Sequence, residues 1–269
     1  MERKVQVVLG GSYGMGYAVA KEIGALGPVI IGARSESKLN DAVESLKAEG
    51  VEAYGKTCDV GSMDSVRAFA EAASAIAPIG NVISVAGIAY NDNSIEDIIR
   101  VNALGTAYVD EVFFQYQSEN SVLVNFASNT AYIFKVSEEI KEIWDNPFDP
   151  DFVAKCAPFA SSEFVAYTLS KAFVIHHTKA NAMRFGRKNC RILAISPGAY
   201  DTPMLRSTNT TPEVVEKIAA GTAFGRLGTP YEMACTVMAV IDPKLSYLTG
   251  ADINVDGGKM AQSLVKQID

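Results

Sequence analysis

Histidine and cysteine are scarce in this chain, and where they occur they do not cluster. The histidines are the neighbours His176 and His177, and the cysteines at 58, 156, 190 and 235 stand far apart with no CxxC pair. A structural zinc site needs such ligands at short spacing, so no metal is expected. Scattered thiols fit free cysteines in a reducing compartment better than a disulfide framework. Positive charge is in deficit too: 24 Lys and Arg stand against 31 Asp and Glu. That balance speaks against a nucleic-acid partner and against anionic lipid, since both need a basic patch. No run of 18 apolar residues occurs, and no membrane span is expected. Met1-Glu2-Arg3-Lys4 leads into a strand without an apolar signal region, so a cytoplasmic location is the expectation.

What the chain does have is rhythm. Short apolar runs alternate with amphipathic segments from Val5 onward. Strands are expected at Val5–Gly10, Val29–Ala33, Val51–Thr57, Val82–Ala86, Ser121–Ala127, Arg191–Ser196 and Asp252–Val255. Helices are expected at Met15–Leu26, Ser37–Glu49, Ser62–Ile76, Ser94–Gln117, Glu163–Arg187 and Pro230–Ile241. Strands apolar on both faces, each followed by a helix, predict an α/β doubly wound parallel sheet of about seven strands with helices on both faces. One Rossmann-type domain spanning residues 1–269 is the simplest reading. Its ligand crevice belongs at the carboxyl ends of the strands. Two segments break the rhythm, at about residues 131–162 and 199–228, and long connections of this kind are usually functional.

The first strand runs into Gly10-Gly11-Ser12-Tyr13-Gly14-Met15-Gly16 and then a helix. Glycines at 10, 14 and 16 allow a tight turn and a close backbone approach to a pyrophosphate at a helix N-terminus. Ser12, Tyr13 and Met15 complete that cofactor loop. The second strand ends without the acid that usually binds an unphosphorylated ribose, and Arg34 follows at once. A guanidinium suits a 2′-phosphate, so NADP is the expected cofactor, with NAD the alternative.

Tyr167 and Lys171 lie four apart in the long late helix, on one face and one turn from each other. An ammonium there would lower the phenol pKa and make Tyr167 an acid/base. Spacing alone proves nothing, because Tyr17 and Lys21 share it and belong to the outer face of the first helix. Position separates the two pairs.

At this point the chain resembles the short-chain dehydrogenase/reductase family over nearly its whole length. Leu9 to Gly16 matches the glycine motif TGxxxGxG, with Leu9 in place of Thr. Asp59-Val60 matches the Asp-apolar pair near the adenine, and Ser84-Val85-Ala86-Gly87 stands where the family has NNAG. Asn102, Ser128 and the Tyr167/Lys171 pair match the catalytic positions. Pro197-Gly198, Thr202 and Asp256-Gly257-Gly258 match the later cofactor segments. The resemblance implies that Ser128 holds the substrate oxygen and Lys171 binds the nicotinamide ribose. It also implies that Asn102 continues a proton relay through a water, and that Asp59, Val60, Ala86, Gly87, Pro197, Gly198 and Thr202 line the cofactor. The departures at Leu9, Ser84 and Val85 affect local bracing and leave the reacting positions intact.

Ser128 and Tyr167 are unusually far apart for the family. The added stretch carries Val136, Ile140, Ile143 and Trp144 as an apolar stripe, then Phe148, Phe152 and Phe159 among prolines. Such an enlargement resembles bacterial hydroxysteroid dehydrogenase/carbonyl reductase members. It is either a wall over an apolar alcohol or ketone such as a steroid or bile acid, or a packing or interface insert. The expected protein is thus an NADP-dependent oxidoreductase, in all expectation a homo-oligomer. A general carbonyl reductase of small ketones or quinones and a non-turning-over NADP sensor are the alternatives.

Overall fold

Successive side chains of a strand point to opposite faces, and the apolar runs of this chain bury both. The computed structural model describes residues 3–207 and 211–261. Among these, β1 (Val5–Leu9), β2 (Val29–Ala33), β3 (Ala53–Thr57), β4 (Ile79–Ser84), β5 (Val122–Phe126), β6 (Arg191–Pro197) and β7 (Asp252–Val255) form one sheet. All pairings are parallel, in the order β3-β2-β1-β4-β5-β6-β7. The period of two divides the core. Leu9, Val82, Leu123 and Ile192 belong to one apolar cluster, and their neighbours Val8, Ile83, Val124 and Leu193 belong to the other.

Helices cover both faces. They are α1 (Gly14–Ile23), α2 (Glu36–Ala48), α3 (Met63–Ser74), α4 (Ile95–Ile98), α5 (Gly105–Tyr116), α6 (Glu138–Trp144), α7 (Phe152–Cys156), α8 (Glu163–Arg187), α9 (Pro203–Ser207), α10 (Pro212–Ala220) and α11 (Pro230–Ile241). Val19 and Ile23 of α1, Leu39 of α2 and Met233 of α11 pack on one face. Phe69 of α3, Phe113 of α5 and Phe173 of α8 pack on the other. Local chemistry sets the starts. Ser62 and Ser162 accept from the backbone N–H three residues on, and Thr229 with Glu232 forms a full capping box before α11.

Two regions differ from the sequence expectation. The helix expected over Ser94–Gln117 is interrupted by a π-helical stretch, Ile99–Leu104, between α4 and α5. An extra residue there leaves the flanking apolar stripes in phase with the sheet, so periodicity did not reveal it. The connection at 199–228 contains α9 and α10, opened by Pro203 and Pro212 at the first helical turn.

The chain crosses from β3 back past β1 to β4, so the loops after β1 and β4 diverge from adjacent strands and open a crevice between them. No helix among the described residues is long and apolar enough to cross a membrane.

The segment inserted before α8 folds onto that helix. Ile140, Trp144, Phe152 and Cys156 are buried in the core cluster that holds Phe173. The Trp144 ring meets Phe173 edge-on at 5.8 Å and also touches Phe134 and His176. Ile140 and Trp144 of the stripe are therefore core, with Ile143 half-buried against them and Val136 exposed at its start. Emptying the largest fully buried side chain should leave a cavity that its neighbours cannot fill. Trp144→Ala is expected to cost about 3–5 kcal/mol in denaturant unfolding at an unchanged slope. A loss below about 1 kcal/mol would place the ring outside the core.

Candidate active site

The loop after β1 approaches the backbone of its neighbours more closely than a side chain allows. Gly10 has φ +82°, and a Cβ on it would lie 2.7 Å from the Ala86 nitrogen in the loop after β4. A Cβ on Gly16 would lie 2.1 Å from the Gly10 carbonyl oxygen. Gly14, at φ +58°, sits in the left-handed region with Thr202 above it. The loop delivers the chain to α1, whose N-cap Tyr13 makes no side-chain cap and whose first turn holds no acid. That leaves amide groups and the positive end of the helix to face an anion.

This loop floors a cleft of about 1080 Å3. The observations fit a dinucleotide: a Cβ-free cradle, an uncapped helix N-terminus and sufficient volume. Of the sequence-derived cofactor residues, Gly10, Ser12, Tyr13, Gly14, Met15, Gly16, Arg34, Val60, Ala86, Gly87, Pro197, Gly198 and Thr202 all line the cleft, as do Ser128, Tyr167 and Lys171. Two others do not. Asp59 turns its carboxylate to the Gly61 N–H at 3.0 Å, closing its own turn. Asn102 is buried behind the wall, its Oδ1 accepting from the Ile88 N–H at 2.8 Å and its Nδ2 donating to the Ile88 carbonyl at 3.0 Å. The π-helical turn presents that amide, and Gly87 leaves room for it: a Cβ there would lie 3.1 Å from Asn102 Oδ1 and 3.4 Å from Lys171 Nζ.

The side chains expected to react converge on the cleft. Ser128 ends the segment after β5, and its Oγ accepts from the Thr130 N–H at 3.2 Å and from the Thr130 hydroxyl at 2.9 Å. With both acceptor positions used, the Ser128 proton is free to be donated into the cleft that Tyr167 also lines. Lys171 is 5% exposed, with its Nζ donating to the Phe126 carbonyl at 2.8 Å and 5.8 Å from the Tyr167 ring centroid. Burial pushes the Lys171 ammonium down to about 8. The Tyr167 phenol departs from expectation. Burial raises its pKa, Ser128 opposes that, and nearby Tyr90 adds to the rise. Desolvation of the phenolate is the largest of these effects.

The other Tyr-x-x-x-Lys pair does nothing of the kind. Tyr17 and Lys21 both engage Glu49 on the outer face of α1.

Comparison with known proteins agrees with this architecture. A family model described as short chain dehydrogenase matches residues 4–137, and one described as enoyl-(acyl carrier protein) reductase matches residues 155–259. The 3-oxoacyl-[acyl-carrier-protein] reductase FabG of Pseudomonas aeruginosa is 32% identical over 96% of this chain and 98% of its own. This chain belongs to the short-chain dehydrogenase/reductase family. It is also similar to the short-chain dehydrogenase/reductase bsc3 of Alternaria brassicicola, 28% identical over 97% of each chain. Among solved structures, an actinorhodin polyketide ketoreductase variant with NADPH superimposes with a TM-score of 0.76 at 25% identity, covering 96% of this chain and 97% of that one. A short-chain type dehydrogenase/reductase from Mycobacterium ulcerans has the same fold, with a TM-score of 0.79 at 23% identity over 97% of this chain and 91% of that one.

Sequence reasoning missed other residues on the wall of this reductase-family cleft: Tyr90, Thr130, Lys38, Val214 and Ile218. Lys38 lies in the first turn of α2, the helix that follows Arg34. Its Nζ stands over the Tyr13 ring at 5.9 Å. Gly16→Ala must displace the Gly10 carbonyl, and so the loop. It is expected to weaken nicotinamide-dinucleotide binding by about tenfold or more in a fluorescence titration, with the circular dichroism spectrum retained. Unchanged affinity would mean that this loop is not the cradle.

Proposed function

We propose that this family member is an NADP-dependent oxidoreductase interconverting apolar ketones and secondary alcohols, with Tyr167 as the proton donor and acceptor. The observation that carries the reading is the meeting of Ser128, Tyr167 and Lys171 on the wall of the cleft that the glycine loop floors.

When bound, a nicotinamide supplies or accepts the hydride. The chain does the rest. Ser128, whose own proton is not taken up by Thr130, donates a hydrogen bond to the substrate oxygen, stabilising developing negative charge. Tyr167 delivers its proton to that oxygen in reduction and removes it in oxidation. Lys171 keeps a buried ammonium beside the phenol, which favours the phenolate left after donation. Asn102 braces the loop at Gly87 and Ile88 that forms the facing wall.

Several features favour NADP. Arg34 and Lys38 both line the β2 end of the cleft. Among the described residues, the acid on its wall is Asp256, beside Gly198 after β7, and its carboxylate is taken up by the Gly258 and Met260 N–H groups. Two cations without a facing carboxylate suit a 2′-phosphate. The solved ketoreductase with NADPH is a further point of support. The steroid reading loses its main argument, because the described residues of the insert beyond Thr130 do not line the cleft.

Turnover of NADPH with a panel of ketones tests the reading and separates it from a nucleotide sensor. Tyr167→Phe is expected to lower kcat by about three decades while cofactor binding survives; activity within tenfold of wild type would reject the assignment. Arg34→Asp is expected to shift the NADPH-to-NADH preference toward NADH by about tenfold or more. An unchanged ratio would remove Arg34 from cofactor selection.

A further inference from the structure

The loop after β4 carries an aromatic side chain that the reaction itself does not use. Tyr90 lies on the wall of the cleft, about a third exposed. Its ring meets the Tyr167 ring at 5.9 Å between centroids and 66° between planes, and the Phe164 ring at 5.2 Å and 87°. Both are edge-to-face contacts, which fix a ring's orientation as well as its position. The backbone beneath is held too: Asn93 Nδ2 donates to the Ala89 carbonyl at 3.0 Å and to the Asn91 carbonyl at 2.8 Å. Tyr90 is thus a held ring with surface open to the cleft, directly beside the side chain that would transfer the proton.

Apolar side chains line the cleft as well, beside polar ones such as Lys217 and Thr222. Met204 and Leu205 of α9 and Val214 and Ile218 of α10 line the same cleft. They arrive from the connection after β6, while Tyr90 arrives from the loop after β4, and β5 lies between those strands. Apolar side chains from the two sides of β5 therefore contribute to the cleft that Tyr167 lines. One offers a fixed aromatic ring, and the other thioether and aliphatic side chains that adapt to shape. A flat ring can lie in full contact with an aromatic face and a puckered ring of the same size cannot, so the held ring of Tyr90 suits a flat, apolar slab.

We propose that Tyr90 is a specificity-determining residue that selects ketones and alcohols whose reacting carbon is joined to a flat aromatic ring. The proposal rests on the oxidoreductase reading for its assay and on the ring geometry for its content. Tyr90 neither gives nor receives the transferred proton, and its influence on the Tyr167 phenol is common to all substrates, so its selectivity should appear as discrimination between them.

The test compares acetophenone with cyclohexyl methyl ketone, which differ in the flatness of one six-membered ring. The quantity read is the ratio of their kcat/KM values with NADPH, so intrinsic reactivity cancels between variants. Tyr90→Leu keeps apolar bulk and removes the ring. It is expected to lower the phenyl-to-cyclohexyl ratio roughly three- to tenfold, the range of one aromatic pair. Tyr90→Phe keeps the ring and should hold the ratio within about twofold of wild type. A Tyr90→Leu ratio equal to wild type would overturn the proposal, whether or not both rates fall. Calorimetric binding of the same two ketones to the NADP-loaded protein gives a second readout. If no ketone turns over but the phenyl ketone binds more tightly in wild type and loses that margin in Tyr90→Leu, the oxidoreductase reading fails and the role of Tyr90 stands. If there is no margin in wild type in either readout, Tyr90 selects nothing.

Discussion

The site depends on a carbonyl oxygen with no room beside it. Gly10 O occupies the space a side chain on residue 16 would need, and Gly10 itself presses on the backbone of Ala86. These approaches bring the start of α1, the end of β1 and the loop after β4 into one surface, further tied by the Val85 N–H donating to the Leu9 carbonyl at 2.9 Å. The sheet could form without them. The cleft could not, because its floor and one wall would be separated by the width of a methyl group. This explains why departures at Leu9, Ser84 and Val85 are tolerated while the glycines are not exchangeable.

Around that floor the polar groups are satisfied in a graded way. Asn102 spends its amide on Ile88 and Lys171 spends a proton on Phe126, so both are fixed by backbone that belongs to the sheet and its loops. Ser128 receives two hydrogen bonds from Thr130, leaving its own proton to give. Burial raises the Tyr167 pKa and so opposes its ionisation. A phenol kept neutral by burial suits the proton-donor role proposed for Tyr167.

Much of this was legible in the sequence. The alternation of apolar runs located the strands, because a sheet buried on both faces demands apolar residues at every position. α8 and α11 run over the residues expected, since Ser162 and Thr229 mark their starts by cap chemistry. The glycine loop and the catalytic set were found through their order along the chain. Other features leave no mark. The stripe ending in Trp144 reads the same whether it faces a ligand or a core. Spacing puts Lys171 one turn from Tyr167 but is silent on how deeply either is buried, so the direction of the phenol shift was missed. Tyr90 lies in a loop with no periodicity to read. Asp59 was within reach, because Asp-x-Gly is the pattern of a carboxylate closing its own turn.

The π-helical stretch at Ile99–Leu104 adds one residue to an otherwise regular helix. Each residue of an α-helix turns the chain by about 100°. Trimming one residue would therefore restore an unbroken ladder and still damage the protein. Either Asn102 would swing off Ile88, or Val109, Val112 and Phe113 would swing off the sheet. Evolutionary drift in length is closed to this helix, although its surface composition remains open. The surplus residue works as a phase adjuster, letting a helix dictated by core packing carry a side chain dictated by the active site.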